Sequence, residues 1–133
     1  MTREAILYEK RPNGKVLCTA CARYCEMKKG QIGLCGIRGN ENGKLDLYVY
    51  GKVIAGHVDP IEKKPVIHYN PGSKIFSIAT TGCNWLCKYC QNSDISQRRK
   101  VEGVDMTPEQ VASTAVEHGA DGIAYTYNEP SIF

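Results

Sequence analysis

Three cysteines, Cys83, Cys87 and Cys90, stand within eight residues at the spacing C-x3-C-x2-C, in the stretch Thr81-Gly82-Cys83-Asn84-Trp85-Leu86-Cys87-Lys88-Tyr89-Cys90-Gln91-Asn92. A loop this short can wrap three thiolates around one compact inorganic group. Four thiolates close a [4Fe-4S] cluster completely, so three leave one iron without a protein ligand. An open coordination position is where metal chemistry takes place, by the logic that separates catalytic from structural zinc. Zinc at this loop would need a fourth ligand, and the nearest free candidate lies far upstream. A disulfide fits poorly as well, because seven cysteines in a chain that opens without a secretory signal point to a reducing compartment and to metal.

The other four cysteines, Cys18, Cys21, Cys25 and Cys35, follow C-x2-C-x3-C-x9-C, separated by glycine-bearing turns. They are a set able to make a tetrahedral thiolate site. In a segment this small, a metal supplies the ordering that an apolar core cannot. Three readings stay open at these positions: structural zinc, a second iron–sulfur cluster, or unligated and redox-active thiols. His57 is a further potential ligand, but a hydrogen-bonded histidine in a turn is the simpler reading.

These side chains need elements to position them. A chain of 133 residues, 42% hydrophobic and 23% charged, is enough for one ordinary globular domain and marginal for two. It contains no apolar run long enough to span a bilayer, and Met1-Thr2-Arg3-Glu4 opens no secretory signal, so a cytoplasmic location is expected. A formal charge of +3 is too mild to imply nucleic-acid or membrane binding, and Arg98-Arg99-Lys100 reads as a solvated turn. Residues 2–10 read as an amphipathic lead-in, with Ile6, Leu7 and Tyr8 available for packing. Asn42-Gly43 supplies the positive-φ positions of a tight hairpin. Leu45 to Tyr50 reads as a strand, and Lys52 to Val58 as a second strand returning beside it after Gly51. Asp59 to Ser73, with three prolines, is extended or turning, and its Glu62-Lys63-Lys64 could border a substrate cleft.

In the second half, Lys74 to Thr80 is a short apolar run, as expected of a strand buried on both faces. The cysteine loop follows at once, and polar residues 91–97 are placed to cover whatever it holds. Thr107-Pro108-Glu109-Gln110 is a helix start with threonine cap, proline at the first turn and glutamine at the capping-box position. Val111, Ala112, Ala115 and Val116 make one apolar stripe, Gly119 stops the helix, and Gly122 to Tyr127 makes another strand. Strand, loop, helix and strand form a βαβ unit, with parallel strands and a right-handed crossover. Asn128-Glu129-Pro130 then falls at the same sheet edge as the cysteine loop.

The cysteine loop closely resembles the cluster motif of radical S-adenosylmethionine (SAM) enzymes, including the aromatic Tyr89 just before the third cysteine. Several segments together resemble one subgroup, the radical SAM enzyme of the AmmeMemoRadiSam system, related to pyruvate formate-lyase activating enzymes. They are Cys18 to Cys25 with Cys35-Gly36-Ile37-Arg38, Asp59-Pro60-Ile61-Glu62-Lys63-Lys64-Pro65, Pro71-Gly72-Ser73, Thr81 to Asn92, Ile95-Ser96-Gln97 and Tyr125-Thr126-Tyr127-Asn128-Glu129-Pro130. The resemblance implies that Cys83, Cys87 and Cys90 ligate a [4Fe-4S] cluster whose open iron chelates SAM. One electron then cleaves the sulfonium to methionine and a 5′-deoxyadenosyl radical, which takes hydrogen from an unidentified substrate. It implies that Tyr89 lies beside the adenine. It also implies that Asn128 and Glu129, where the superfamily often carries Gly-Gly-Glu-Pro, face the SAM ammonium.

The implied fold is α/β, the start of a radical SAM partial (β/α) barrel, with one βαβ unit preceded by a small Cys-rich β-containing module. Residues 1–67 are expected to form that module and its connector, and residues 68–133 the first part of the core domain. An N-terminal fragment is therefore expected. An electron donor such as flavodoxin or ferredoxin and a protein or small-molecule substrate are the implied partners. Two alternatives stand beside this reading: an activating enzyme that makes a glycyl radical on a partner, and a non-catalytic zinc-binding or interaction module.

Overall fold

In the computed structural model, which describes residues 2–133, the first half of the chain folds as two small antiparallel sheets. One has the order β2-β3-β4, from Tyr8–Lys10 (β2), Val16–Cys18 (β3) and Glu26–Met27 (β4). The other has the order β1-β6-β5, from Arg3–Glu4 (β1), Arg38–Glu41 (β5) and Lys44–Leu47 (β6). The β5–β6 hairpin turns on Asn42 at φ 56° and Gly43 at φ 85°, the two left-handed positions that an Asn-Gly pair accommodates. Asn40, fully buried, ties the sheets together: its amide donates to the carbonyls of Gly14 (2.8 Å) and Met27 (2.9 Å), and its oxygen accepts the Gly43 amide (2.8 Å). Val16, Met27, Ile37, Leu45 and Val49 form the core between them, joined by Ile132 from the far end of the chain.

The lead-in is strand rather than an amphipathic face, and Ile6 and Leu7 are exposed instead of packed. The cause is a tight turn in which the Tyr8 amide donates to the Ile6 carbonyl (3.1 Å). Ala5 stays buried and Tyr8 packs on the core from its edge.

The expected return strand does not lie beside the first. Lys52–Val53 (β7) and Ala55–Pro60 (β8) cross to the second half of the chain. There β8 pairs antiparallel with Lys74–Ala79 (β9) along its whole length, from Ala55 opposite Ala79 to Pro60 opposite Lys74. β7 pairs with Val104–Asp105 (β10). The sheet built on β9 thus draws in residues 55–60 from before the expected division at 67/68, while residues 52–53 join β10 in a separate pair. The physical reason is the buried run of β9, whose two edges both need hydrogen-bond partners. His57 accordingly stands in a strand opposite Ser77, not in a turn.

On the other edge of β9, Gly122–Tyr125 (β11) runs parallel, with Gly122 opposite Ile75 and Tyr125 opposite Ile78. Between them come a single helical turn, Ser93–Ser96 (α1), and the crossover helix Pro108–Glu117 (α2). The capping box is complete: the Gln110 amide donates to Thr107 Oγ1 (3.2 Å), and the Thr107 amide donates to Gln110 Oε1 (2.8 Å). Val111 and Ala115 bury against Phe76 and Ile78 of β9. Ala112 and Val116 face outward, because a helix lying on so narrow a sheet covers little more than its i, i+4 seam. The result is an α/β chain of several small sheets and few helices, and no helix among the described residues is long and apolar enough to cross a membrane.

Candidate functional site

β9 ends at buried Ala79, buried Thr80 and Thr81 follow, and the cysteine loop leaves from that C-terminal end. Gly82 starts it at φ +87°, donating its amide to the Ile95 carbonyl (3.1 Å). A β-carbon there would collide with Ile37 Cγ2 and lie 2.7 Å from the Cys35 carbonyl, so the loop is seated directly on the N-terminal module. From the end of β11, Asn128 reaches across and donates to the carbonyls of Thr80 (2.9 Å) and Gly82 (2.6 Å). Asn92 donates in return to the Tyr127 carbonyl (3.1 Å). The loops leaving the two parallel strands are thereby stitched together at one sheet edge.

Cys83, Cys87 and Cys90 are free and partly buried within this loop. Cys83 Sγ accepts the Trp85 amide (3.4 Å), Cys90 Sγ lies 3.1 Å from Ser96 Oγ, and the Cys90 amide donates to the Cys87 carbonyl (3.2 Å). Gln97 donates to the Cys87 carbonyl (2.9 Å), so this amide braces the loop from beneath. Trp85 and Leu86 are exposed, and Tyr89 stands 90% exposed at the loop's outer side. Asn128 spends its amide on the loop, while its Oδ1 is buried without a hydrogen-bond partner among the described residues. Glu129 accepts the Ser131 amide with Oε1 (3.0 Å), capping the single turn Pro130–Ile132.

The four N-terminal cysteines border one cavity. Cys18 closes β3 and its amide donates to the Cys25 carbonyl (3.0 Å), Cys21 sits on the turn between, and Cys35 comes from the turn Gly33–Gly36. All four line a small cavity of about 10 Å³, together with Arg23, Arg38 and Asn84. Asn84 belongs to the cysteine loop, and its carbonyl accepts from Arg23 Nε (3.3 Å), so the two cysteine sets adjoin through one residue. Burial pushes the Cys35 thiol above its usual range, against the backbone bonds of Ile37 and Arg38. Among the described residues no three His, Cys, Asp or Glu side chains already stand together as an ion-binding group, at either set.

The open cleft beside the loop, about 700 Å³, contains a charged cluster that the sequence reading only touched through Lys63 and Lys64. Its centre is Asp59, 6% exposed, which takes Lys63 Nζ (2.9 Å), Lys64 Nζ (3.0 Å) and the Tyr127 hydroxyl (2.9 Å). Burial pushes the Asp59 carboxyl up, but the two ammoniums and the phenol outweigh it and hold the group well below the usual carboxylate range. Burial and the bond to Asp59 push the Tyr127 phenol up. Glu62 points elsewhere, accepting the Gly72 amide (2.8 Å). The available signal was the spacing of Asp59 to Lys63 and Lys64. Nothing local announced Tyr127, 68 residues away.

Asp59→Asn should cost about 2 kcal/mol at neutral pH, since it removes the negative charge and one of the two acceptor oxygens that Lys64 and Tyr127 share with Lys63; Lys63, largely in water, contributes little. Because the folded carboxyl titrates below its unfolded value, this stabilisation is present above about pH 4 and fades as pH falls through the folded value. Urea unfolding of parent and variant across that range checks it. The gap between them should narrow on acidification.

No known protein family profile matches the chain, and no solved structure matches it. It is 44% identical over 133 residues to the uncharacterized protein MJ0808 of Methanocaldococcus jannaschii, a match covering 98% of this chain and 40% of that protein. The chain therefore spans about two fifths of the length of this curated relative.

Proposed function

We propose that this chain carries the cluster loop of a radical SAM enzyme of the AmmeMemoRadiSam type, and that its βαβ unit is the start of a partial (β/α) barrel. The observation that carries this reading is the C-x3-C-x2-C loop leaving the C-terminal end of a buried parallel strand, with Asn128 of the next strand end bonded into its base. Function in (β/α) barrels gathers at that edge. The donor set fits the group: three free, partly buried thiols lie on a short loop, with the Ser96 hydroxyl beside one sulfur. A [4Fe-4S] cluster bound there would supply a site for SAM and one-electron reductive cleavage of its sulfonium.

The chain's own residues have separable tasks. Cys83, Cys87 and Cys90 hold the cluster. Asn128 and Gln97 fix the loop's carbonyls and so its shape. Glu129 keeps one carboxylate oxygen to accept the SAM ammonium, a charge-assisted bond. Tyr89 offers its ring to the adenine. The Asp59–Lys63–Lys64–Tyr127 cleft, bordered by Gln91 and Asn92 of the loop, presents polar and charged groups to a substrate. The reductant is a low-potential carrier such as flavodoxin or ferredoxin.

Anaerobic reconstitution with iron, sulfide and SAM, under dithionite, tests the reading. Bound iron and sulfide with release of 5′-deoxyadenosine is the expected result. Iron-free protein, or a cluster that leaves SAM intact, would sink it. Glycyl-radical activation of a partner is a variant within the same chemistry. A zinc-binding or interaction module is the competing class, favoured by the four thiols around one cavity.

A further inference from the structure

We infer that Cys18, Cys21, Cys25 and Cys35 hold a single zinc ion that fastens the cysteine loop to the N-terminal module. This stands independently of the radical SAM reading. Three cysteines of one short loop and a fourth ten residues on are brought to one cavity by the Cys18–Cys25 loop closing β3 onto β4 and the Gly33–Gly36 turn leading into β5. The cavity is about 10 Å³, the room of one water-sized atom. A lone ion with sulfurs about 2.3 Å away asks for less rearrangement of that space than a cubane of four irons and four sulfides would. A closed set of four thiolates is the donor arrangement of structural zinc.

A second observation points the same way. Arg38 lines the cavity and is 6% exposed; its Nε donates to the Ile132 carbonyl (2.8 Å), but its Nη1 is buried with no hydrogen-bond partner among the described residues. A guanidinium cannot shed its proton, so a buried one calls for compensating negative charge. Zinc with four thiolates carries two net negative charges, and Arg23 and Arg38 at the cavity wall match them. Loading draws sulfurs together that do not yet form an ion-binding group. Cys21 and Cys25, half-buried on a turn rather than fixed in a strand, have the rotamer freedom for it. The site's outer wall is Asn84, next to Cys83, and this gives the ion its consequence for the loop.

The test is elemental analysis of the chain and of the triple variant Cys83→Ala/Cys87→Ala/Cys90→Ala, both purified anaerobically. About one zinc per chain is expected in both, as for one structural site. A Cys21→Ser/Cys25→Ser chain should lose it. Arg38→Gln should weaken zinc binding about ten-fold, the scale of outer-shell effects, in a competition titration with a chelator. Should the cysteine variant fail to fold, cobalt replacement in the triple variant decides: tetrahedral bands with thiolate charge transfer support the site, and weak octahedral bands alone overturn it. No zinc, zinc lost with the triple variant, or iron and sulfide kept by the triple variant would each overturn it too.

Discussion

A Cys87→Ala chain, reconstituted with iron and sulfide, is expected to bind fewer irons than the parent by about four per chain, the content of one cubane. It should also release no 5′-deoxyadenosine. Two thiolates cannot retain a cluster that three already hold without a fourth. The substitution leaves the frame intact: Cys87 is partly exposed, and it is its carbonyl, not its thiol, that Gln97 and the Cys90 amide hold. Folding stability should therefore move by no more than about 0.5 kcal/mol, the range of substitutions away from buried features. Iron counted beside a urea unfolding curve separates lost ligation from lost fold. Unchanged iron would assign the cluster to the N-terminal cysteines, against the single-ion reading of their cavity.

Gly82→Ala carries the second large effect. Its backbone sits at φ +87°, where a side chain adds about 1–2 kcal/mol. The new methyl would also press on Ile37 Cγ2 and on the Cys35 carbonyl, and a backbone atom has no rotamer by which to yield. Overpacking of this kind costs about 1–3 kcal/mol, so a total near 3 kcal/mol is expected. For a domain of this size that lowers Tm by roughly 10 °C. Gly119→Ala is the control, since its φ is +64° but a β-carbon there meets nothing within 4 Å. Its loss should be confined to the backbone term, about 1 kcal/mol. Equal melting temperatures for the two variants would mean that the loop is not seated on the N-terminal module.

Features decided within a few residues were legible in the sequence. The Thr107–Gln110 capping box, the Asn42-Gly43 turn, the buried run of β9 and its parallel pairing with β11 all follow from local chemistry and from the βαβ handedness. What stayed hidden is what long separations decide. The segment after Gly51 has a plausible local partner in β6, yet β6 is already flanked by β1 and β5, and β7 and β8 pair with β10 and β9 instead. The helix stripe was read as wider than the narrow sheet can cover, which left Val116 outside. At the site, the cysteine spacings marked both sets of thiols. Neither their meeting through Asn84 nor the contact of Asp59 with Tyr127 has a local sign. Each is a product of how the two halves lie together.

Ile132 has a consequence for how the chain is made. Its side chain, 1% exposed, completes the core of a module whose other members lie between Ala5 and Val49, and its carbonyl receives Arg38 from 94 residues upstream. On the ribosome the first module is synthesised early, yet it waits with a gap in its interior until position 132 has cleared the exit tunnel. By then strands β8 to β11 have emerged, so the module made first is completed only after elements that follow it in sequence. Vectorial synthesis here therefore does not mean vectorial folding.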